Sequence, residues 1–289
     1  MDELSSELSQ KLSAAVEKMP AFPKSVQRIL ELTRDINCKP KELVGVIEKD
    51  PVMTIKLLRI LNSAYYSFPS PITSVQQSVV YLGLNTIKHM ALSFATVGVL
   101  PPDNDAGFDI HGYLMHSLTT ATLARMLCQK FGDSSIDPAD CHIAGLLHDF
   151  GKVVFAQFMP VEFKDALAMS EEQNISLHAS EKKIIGIDHS VAGAMLVEKW
   201  QFPKLLTDTI RHHHSELLPD NQIQSYLFVA DQISNKLSMG NSGNHLVEKL
   251  PPELVKHFGG NIDDIISKFG DLSKIVEEAE SFATGSKEG

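Results

Sequence analysis

The sequence predicts an all-α fold. Over most of the chain, apolar residues recur at spacings of three and four, which is the period of an amphipathic helix. Prolines and an Asp-Pro pair stand where several of these stretches begin, and the period-two alternation of a half-buried strand is missing. The chain has 289 residues, of which 43% are hydrophobic and 21% charged. This composition is typical of a globular protein, and the length suits about two domains.

Three predicted helices lie in the first part of the chain. The first has an apolar stripe at spacing four, formed by Leu4, Leu8, Leu12 and Val16. The second begins at Pro23, and its apolar face consists of Val26, Ile29, Leu30 and Ile36. Asp50 and Pro51 mark a third start as N-cap and first helical residue. The stretch 52–61 that follows is apolar on most sides, so we expect it to be buried.

Helical patterns continue through the second part of the chain. They cover residues 113–130, 140–157, 190–200, 204–214, 223–237 and 262–282. Charge separates the two parts, because residues 1–105 hold 11 basic and 11 acidic side chains, whereas residues 106–289 hold 15 and 25. The stretch 100–109, LPPDNDAGFD, is the best candidate boundary. We therefore predict an N-terminal helix (1–18), a helical lobe (19–105), a second helical lobe (106–240) and a C-terminal helical extension (241–289).

Composition disfavours several classes of partner. A net charge of −10 disfavours broad binding to nucleic acid or to anionic lipid, since both need clustered positive charge. The polar first residues do not resemble a signal peptide, and no apolar run approaches the ~18 residues of a membrane helix. Three cysteines fit a reducing compartment better than a disulfide framework. We expect a cytoplasmic protein.

The histidines carry the chemical pattern. The chain has 12, and nearly all follow residue 105. His148 and Asp149 end an apolar helical stretch just before a glycine, so both side chains are expected to project where that helix stops. A run of three histidines, His212–His214, cannot all face one point, so one or two should turn inward.

Three further candidates lie on other predicted helices: His116, His189 and Asp231. Each alone fits an ordinary core or surface residue at least as well as a ligand. Together, imidazoles and carboxylates from several helices of one lobe are the donors that a divalent transition metal needs.

Four stretches of the sequence carry a family resemblance: MPAFP (19–23), the long signature from Asp-Pro to Leu-Gly (48–83), AGLLHDFGK (144–152) and the run from Glu181 through Asp-His to Trp-x-x-Pro (181–203). They resemble the HDOD family, the HD-related output domains of bacterial signalling within the HD superfamily of metal-dependent phosphohydrolases. The resemblance covers residues 19 to about 215, and the 48–83 signature is its most specific part. It implies an N-terminal helical lobe packed on an HD-like helical bundle.

The resemblance also implies a ligand set, by matching to the HD-GYP branch of the superfamily. The positions of a two-metal site are filled by His116, His148, Asp149, His189, His213, His214 and Asp231, with His212 in a variable position. Lys152 matches a lysine that contacts substrate phosphate. The Gly-Tyr-Pro motif of that branch is absent, since ELLPDNQ stands in its place. Hydrolysis of cyclic di-GMP by the HD-GYP mechanism is therefore not expected.

Two functions remain open from the sequence. The favoured one is a signalling output or regulatory module with one or two divalent metal ions, Fe or Mn before Zn or Ni. It would have a signalling protein partner and a nucleotide or phosphate ligand. The helix at residues 3–17, with its leucine stripe, would bind a partner or form a homodimer. The alternative is a metal-dependent phosphohydrolase acting on a nucleotide or phosphodiester. Asp149 and Lys152 would be its catalytic residues.

Overall fold

The computed structural model describes residues 6–34, 39–63, 65–101, 103–133, 135–215 and 221–285. These residues form α-helices joined by turns and loops and contain no strand, which confirms the all-α prediction. The chain divides into two compact units. The first unit comprises Met1–Pro20 and Pro101–Leu272, and the second unit comprises Ala21–Leu100 and Ser273–Gly289. Among the described helices, none combines the length and apolar character needed to cross a membrane.

The helices follow one another closely along the chain. In order they are α1 (Ser6–Lys18), α2 (Lys24–Arg34), α3 (Pro40–Glu48), α4 (Pro51–Leu61), α5 (Val75–Leu82), α6 (Leu84–Gly98), α7 (Ile110–Phe131), α8 (Pro138–Leu147), α9 (Phe150–Phe158), α10 (Pro160–Gln173), α11 (Leu177–Ile184), α12 (His189–Lys199), α13 (Lys204–Arg211), α14 (Gln222–Lys236), α15 (Pro252–Phe258), α16 (Ile262–Ser267) and α17 (Ser273–Gly285).

Side-chain caps and clamps shape the second unit. Asp50 accepts a hydrogen bond from Met53 N at 3.0 Å, which confirms the predicted start of α4, and another from Ser25 Oγ at 2.7 Å. Asn62 follows α4 and clamps Ile72. Its Oδ1 accepts from Ile72 N at 2.7 Å, and its Nδ2 donates to Ile72 O at 2.8 Å. Much of the 48–83 signature therefore serves to fix helix ends and the loop between α4 and α5.

Helix α4 corrects one expectation. Its residues Met53 and Leu57 are buried, but Val52 is 63% exposed and Ile55 61% exposed. The stretch 52–61 is therefore buried on one face rather than all round. An apolar sequence alone does not distinguish these cases, because packing partners decide which face is covered.

The leucine stripe of α1 is covered within the first unit. Leu12 and Val16 are buried, and α1 packs on α9 and α12. Lys199 Nζ donates to the carbonyl oxygen of Val16 at 3.0 Å, near the end of α1, and Trp200 Nε1 donates to Pro20 O at 3.0 Å. Leu12 and Val16 therefore have their cover within the first unit, whereas Leu8 is half-buried. Leu4, like Ile36 of the second predicted helix, lies outside the described residues.

Three predicted helices end differently in the structure. The stretch 140–157 is two helices, α8 and α9, broken at His148 and Asp149. The stretch 262–282 is likewise two helices, α16 and α17, with Gly270 at φ +71° between them. Helix α13 ends at Arg211, before the three histidines rather than within them.

The two compact units group the four predicted segments differently from their order along the chain. The boundary at Leu100–Pro101 falls inside the stretch 100–109. The N-terminal helix belongs to the first unit, and the extension 241–289 is divided between both units.

Candidate metal centre

His148 and Asp149 occupy the junction between two helices. His148 is the C-cap of α8, and Asp149 directly precedes α9. The Nδ1 atom of His148 lies 2.8 Å from Gly145 O, so Nδ1 carries the proton that this carbonyl accepts. In the neutral ring, Nε2 then keeps its lone pair, as a metal ligand requires. The prediction that both side chains project where the helix stops is confirmed.

The two carboxylate oxygens of Asp149 face different histidines. Its Oδ1 lies 3.0 Å from His189 Nε2 and 3.7 Å from His213 Nε2. Its Oδ2 lies 3.4 Å from His148 Nε2 and 3.7 Å from His116 Nε2. One carboxylate thus stands between two pairs of imidazoles.

Asp231 belongs to the second of these groups. It projects from α14, and its Oδ1 lies 3.1 Å from His116 Nε2 and 3.7 Å from His148 Nε2. Asn235 Nδ2 donates to the same oxygen at 3.1 Å, and Gln232 Nε2 donates to Oδ2 at 3.0 Å. These amide groups on its own helix hold the Asp231 carboxylate in place.

The three consecutive histidines turn in different directions. The Nδ1 atom of His213 lies 2.7 Å from Ile210 O and is hydrogen-bonded to it, which directs the Nε2 atom of His213 toward Asp149. The Nε2 of His214 lies 2.8 Å from His189 Nε2. His212 is instead bonded through Nδ1 to Ser215 Oγ at 3.2 Å. The expectation that one or two of the run face inward is confirmed, and they are His213 and His214.

Lys152 lies one turn after Asp149 inside the protein. Its Nζ donates to Asp149 Oδ2 at 2.6 Å, and its side chain is 2% exposed. The family resemblance assigns this lysine to substrate phosphate, whereas the structure pairs it with a predicted ligand. A buried ammonium of this kind needs such a partner, because an unpaired charge in the interior is very costly.

Glu181 is a site residue that the sequence prediction missed. Its Oε2 accepts from His189 Nδ1 at 2.6 Å and from His189 N at 2.9 Å, and the side chain is fully buried. A carboxylate behind a ligand histidine fixes the tautomer and the ring orientation. A signal was present, because Glu181 is the first residue of the stretch 181–203 that carries part of the family resemblance.

Two glycines let the helices around the centre approach closely. A Cβ atom on Gly151, in the HDFGK sequence, would stand 1.9 Å from His189 O, so α9 packs directly on the start of α12. On Gly145 it would stand 2.5 Å from Ala121 Cα, where α8 meets α7. Side chains at these positions would separate the helices that carry the ligands.

The electrostatics of the centre are dominated by burial and by mutual pairing. Burial opposes charge on His148, but the carboxylates of Asp149 and Asp231 raise its pKa to about 10. Burial likewise opposes charge on Asp149, yet His148, Lys152 and His189 hold the pKa of that carboxyl well below its usual range. Burial and the neighbouring imidazoles lower the pKa of His213, which therefore stays neutral at pH 7.

The donor set fits divalent metal ions. Among the predicted ligands, four buried atoms make no hydrogen bond: His116 Nε2, His148 Nε2, His213 Nε2 and Asp149 Oδ1. An unsatisfied buried polar atom costs about 1–3 kcal/mol, and a bound cation would remove that cost. The donors form two compact groups, one of Asp149, His189, His213 and His214, and one of His116, His148 and Asp231. Within each group the ligand atoms lie within 4.8 Å of one another.

Comparison with known proteins defines the class. The HDOD domain family matches residues 19–216, which is more than half of the chain. The protein therefore belongs to the HDOD family, as the sequence signature indicated. A Treponema pallidum (strain Nichols) protein described as uncharacterized is 26% identical over 209 residues. That match covers 71% of this chain and 40% of the relative's length.

Solved structures share the fold. An HDOD domain protein of unknown function from Geobacter sulfurreducens has a TM-score of 0.78 at 24% identity, covering 96% of each chain. A candidate signal transduction protein from Marinobacter aquaeolei VT8 has a TM-score of 0.79 at 22% identity, covering 97% of this chain and 66% of that one. A candidate phosphohydrolase from Shewanella amazonensis SB2B has a TM-score of 0.68 at 20% identity, covering 96% and 97%.

Proposed function

We propose that this protein is a signalling output or regulatory module of the HDOD family with a divalent metal centre in its first unit. The observation that carries this proposal is the convergence of seven predicted ligands on one region, in which four buried ligand atoms make no hydrogen bond. The ligands are His116, His148, Asp149, His189, His213, His214 and Asp231. They come from separate helices and helix ends, so only the folded chain can assemble them.

The donor chemistry favours two ions. The two groups of donors would each hold one, and Asp149 would offer one oxygen to each. Five imidazoles with two carboxylates suit Fe or Mn, with Zn or Ni as alternatives. Such ions, when bound, would act as Lewis acids and lower the pKa of bound water. Glu181 would orient His189, and the Gly145 carbonyl would orient His148.

Burial favours a regulatory role over turnover. The ligands His148, Asp149 and His189 are at most 1% exposed, and Lys152 is engaged by Asp149 rather than turned toward solvent. A substrate phosphate would have to displace that ion pair to use the lysine. The similarity of the fold to the Marinobacter candidate signal transduction protein is consistent with this role. We expect a signalling protein as partner and a nucleotide or phosphate as the small ligand.

The alternative function is a metal-dependent phosphohydrolase. The complete ligand set favours it, and so does the fold shared with the Shewanella candidate phosphohydrolase. In that case Asp149 would hold both ions, and Lys152 would exchange its bond to Asp149 for a bond to phosphate. The substrate would be a nucleotide or another phosphodiester.

Metal analysis combined with hydrolysis assays separates the two functions. The protein is purified without a histidine tag, loaded anaerobically with Fe or Mn, and assayed with bis-p-nitrophenyl phosphate, cyclic di-GMP and a nucleotide panel. The regulatory module predicts about two ions per chain and no turnover above that of Asp149→Asn. Metal-dependent turnover lost in Asp149→Asn would instead establish the hydrolase.

A matched pair of variants tests the ligand set itself. His213→Gln removes an inward ligand and should lose metal, whereas His212→Gln removes its neighbour, which is bonded to Ser215, and should keep it. Equal metal content in the two variants would contradict the proposed centre. The absence of bound metal from the reloaded wild type would contradict it as well.

A further inference from the structure

One predicted ligand differs from the others in its exposure. Six of the seven are buried, whereas His214 is half-buried. The centre therefore comes closest to solvent at His214. Two residues outside the predicted ligand set, His178 and Glu248, lie beside it and are also half-buried.

These three residues form a compact group of metal-binding donors. Each of His178, His214 and Glu248 offers one ligand atom, and these atoms lie within 4.8 Å of one another. The rings of His178 and His214 stack at a centroid distance of 4.2 Å and an angle of 21°. Two imidazoles and one carboxylate with an open side toward solvent are a donor set that suits a divalent transition metal.

Independent contacts hold the two added residues in place. His178 lies on α11, and its Nε2 is 3.2 Å from Ser176 Oγ, while its Nδ1 is buried without a hydrogen-bond partner. The backbone N–H of Glu248 donates to Gln232 Oε1 at 2.6 Å. The same Gln232 side chain donates to Asp231 through Nε2. One side-chain amide thus connects the backbone of Glu248 to Asp231, a proposed ligand of the buried centre.

We propose that His178, His214 and Glu248 form an outer site for one divalent transition-metal ion, and that the buried centre is loaded through it. This inference rests on the proposed metal centre. A hydrated ion cannot enter a closed cluster of side chains directly, because it must exchange its water for protein ligands one by one. His214 belongs both to the outer group and to the group around Asp149, so it can pass an ion from one to the other.

Cobalt binding tests the outer site without any assay of turnover. Metal-free protein is titrated with Co²⁺ in equilibrium dialysis, and loading is followed by stopped-flow absorption. His178→Gln and Glu248→Gln should each bind one ion fewer than the wild type. They should also fill the remaining sites about tenfold more slowly, a loss within the range known for residues that support metal ligands.

His245→Gln is the matched control. His245 is exposed, bonds Asn174 Oδ1 at 3.1 Å, and lies in the same segment as Glu248. This variant should bind the same number of ions as the wild type and load at the same rate. A loss equal to that of His178→Gln would overturn the outer site, because it would show a general effect of removing an imidazole from this region.

Asp149→Asn separates this inference from the proposed function. If His178→Gln and Glu248→Gln match the wild type in stoichiometry and rate, the outer site is overturned and the buried centre stands. If they lose one ion but load the remainder at the wild-type rate, the loading role is overturned. If the wild type binds one ion that Asp149→Asn keeps and His178→Gln loses, the outer site stands and the proposed centre is overturned.

Discussion

The two units differ in what they bury. The second unit has an apolar interior with few buried polar groups, among them Ser78, Ser93, Thr96 and one charged side chain, Lys88. The first unit buries several histidines, two aspartates of the centre, Glu181 and Lys152. Within the described residues, every group of three metal-ligating side chains lies in the first unit. Ionisable groups are costly to bury, so their concentration in one unit indicates where a ligand compensates for them.

The family signature and the proposed metal ligands lie in different units. The most specific family signature, residues 48–83, lies in the second unit, where Asp50 and Asn62 use their side chains to hold backbone. The proposed ligands lie in the first unit. A sequence signature can therefore establish membership of a family while the residues that bind a ligand lie elsewhere in the chain.

The largest expected effect on stability comes from substituting Gly151 in the first unit, with Gly45 in the second unit as the comparison. Gly151→Ala would place Cβ 1.9 Å from His189 O, and backbone cannot yield as a side chain can. We expect a loss of about 3 kcal/mol in unfolding free energy, or failure to fold. Gly45→Ala, inside α3, meets nothing within 4 Å and should stabilise by about 0.5–1 kcal/mol. Urea denaturation measures both.

The two glycine variants test the described helix packing in each unit directly. If Gly151→Ala were as stable as the wild type, α9 would not be packed on the start of α12 in the way described. If Gly45→Ala were strongly destabilised, α3 would have a packing partner close to its backbone. The wild type measured in the same denaturation series is the reference for both.

The next effect concerns the support of His189. Glu181→Gln keeps the size of the side chain but removes the charge that holds His189 Nδ1. We expect metal affinity to fall about 10–100-fold, because loss of such a supporting residue loosens its ligand. Glu172→Gln, on the exposed side of α10, is the control and should bind as the wild type does. Competition with a chelator measures both affinities, and equal values would remove Glu181 from the site.

Glu181 shows how far sequence reasoning reaches at the site. The predicted ligands came from motif spacing and from the family resemblance, and the structure brings all of them together. Glu181 stands at the start of one of the stretches that resemble the family, but its partner is known only once α11 is placed beside the start of α12. The same holds for Lys152, whose predicted partner was phosphate and whose observed partner is Asp149. Contacts that form only in the folded chain cannot be predicted from local sequence patterns.

The helix predictions failed for a related reason. Periodicity identified the helical segments, but it joined α8 to α9, because the apolar pattern continues through the junction. For the same reason, periodicity joined α16 to α17 and missed the break at Gly270. The residues around His148 and Asp149, and not the periodicity, predicted that a helix stops there. Hydrophobic period reports which face is buried, whereas the exact end of a helix depends on caps and on tertiary packing.

Proton release gives a smaller effect within the centre. The pKa of His148 is raised to about 10 in the metal-free protein, so His148 is protonated at pH 7 and an ion must displace that proton. Metal affinity should therefore fall on acidification, by about tenfold per pH unit for each proton displaced. Calorimetry in buffers of different ionisation enthalpy counts the protons released.

Two histidine variants test which imidazole releases a proton when metal binds. His148→Gln should lower the number of protons released by one. His213→Gln should bind metal more weakly, but at saturating metal it should leave the number of protons released per bound ion unchanged, because burial and neighbouring imidazoles lower the pKa of His213 and it holds no proton to release at pH 7. An identical fall in both variants would show that the two imidazoles do not differ in protonation, contrary to the geometry around Asp149.

The smallest effect tests the second unit alone. Asp50→Ala removes the N-cap of α4 and its bond from Ser25 Oγ, and should cost about 1 kcal/mol of unfolding free energy. Metal content should not change, because Asp50 lies in the unit without a ligand group. Asp105→Ala is a control aspartate outside any helix. If Asp50→Ala lost metal while remaining folded, the signature region would contribute to the centre, and the division between a structural unit and a metal-binding unit would be wrong.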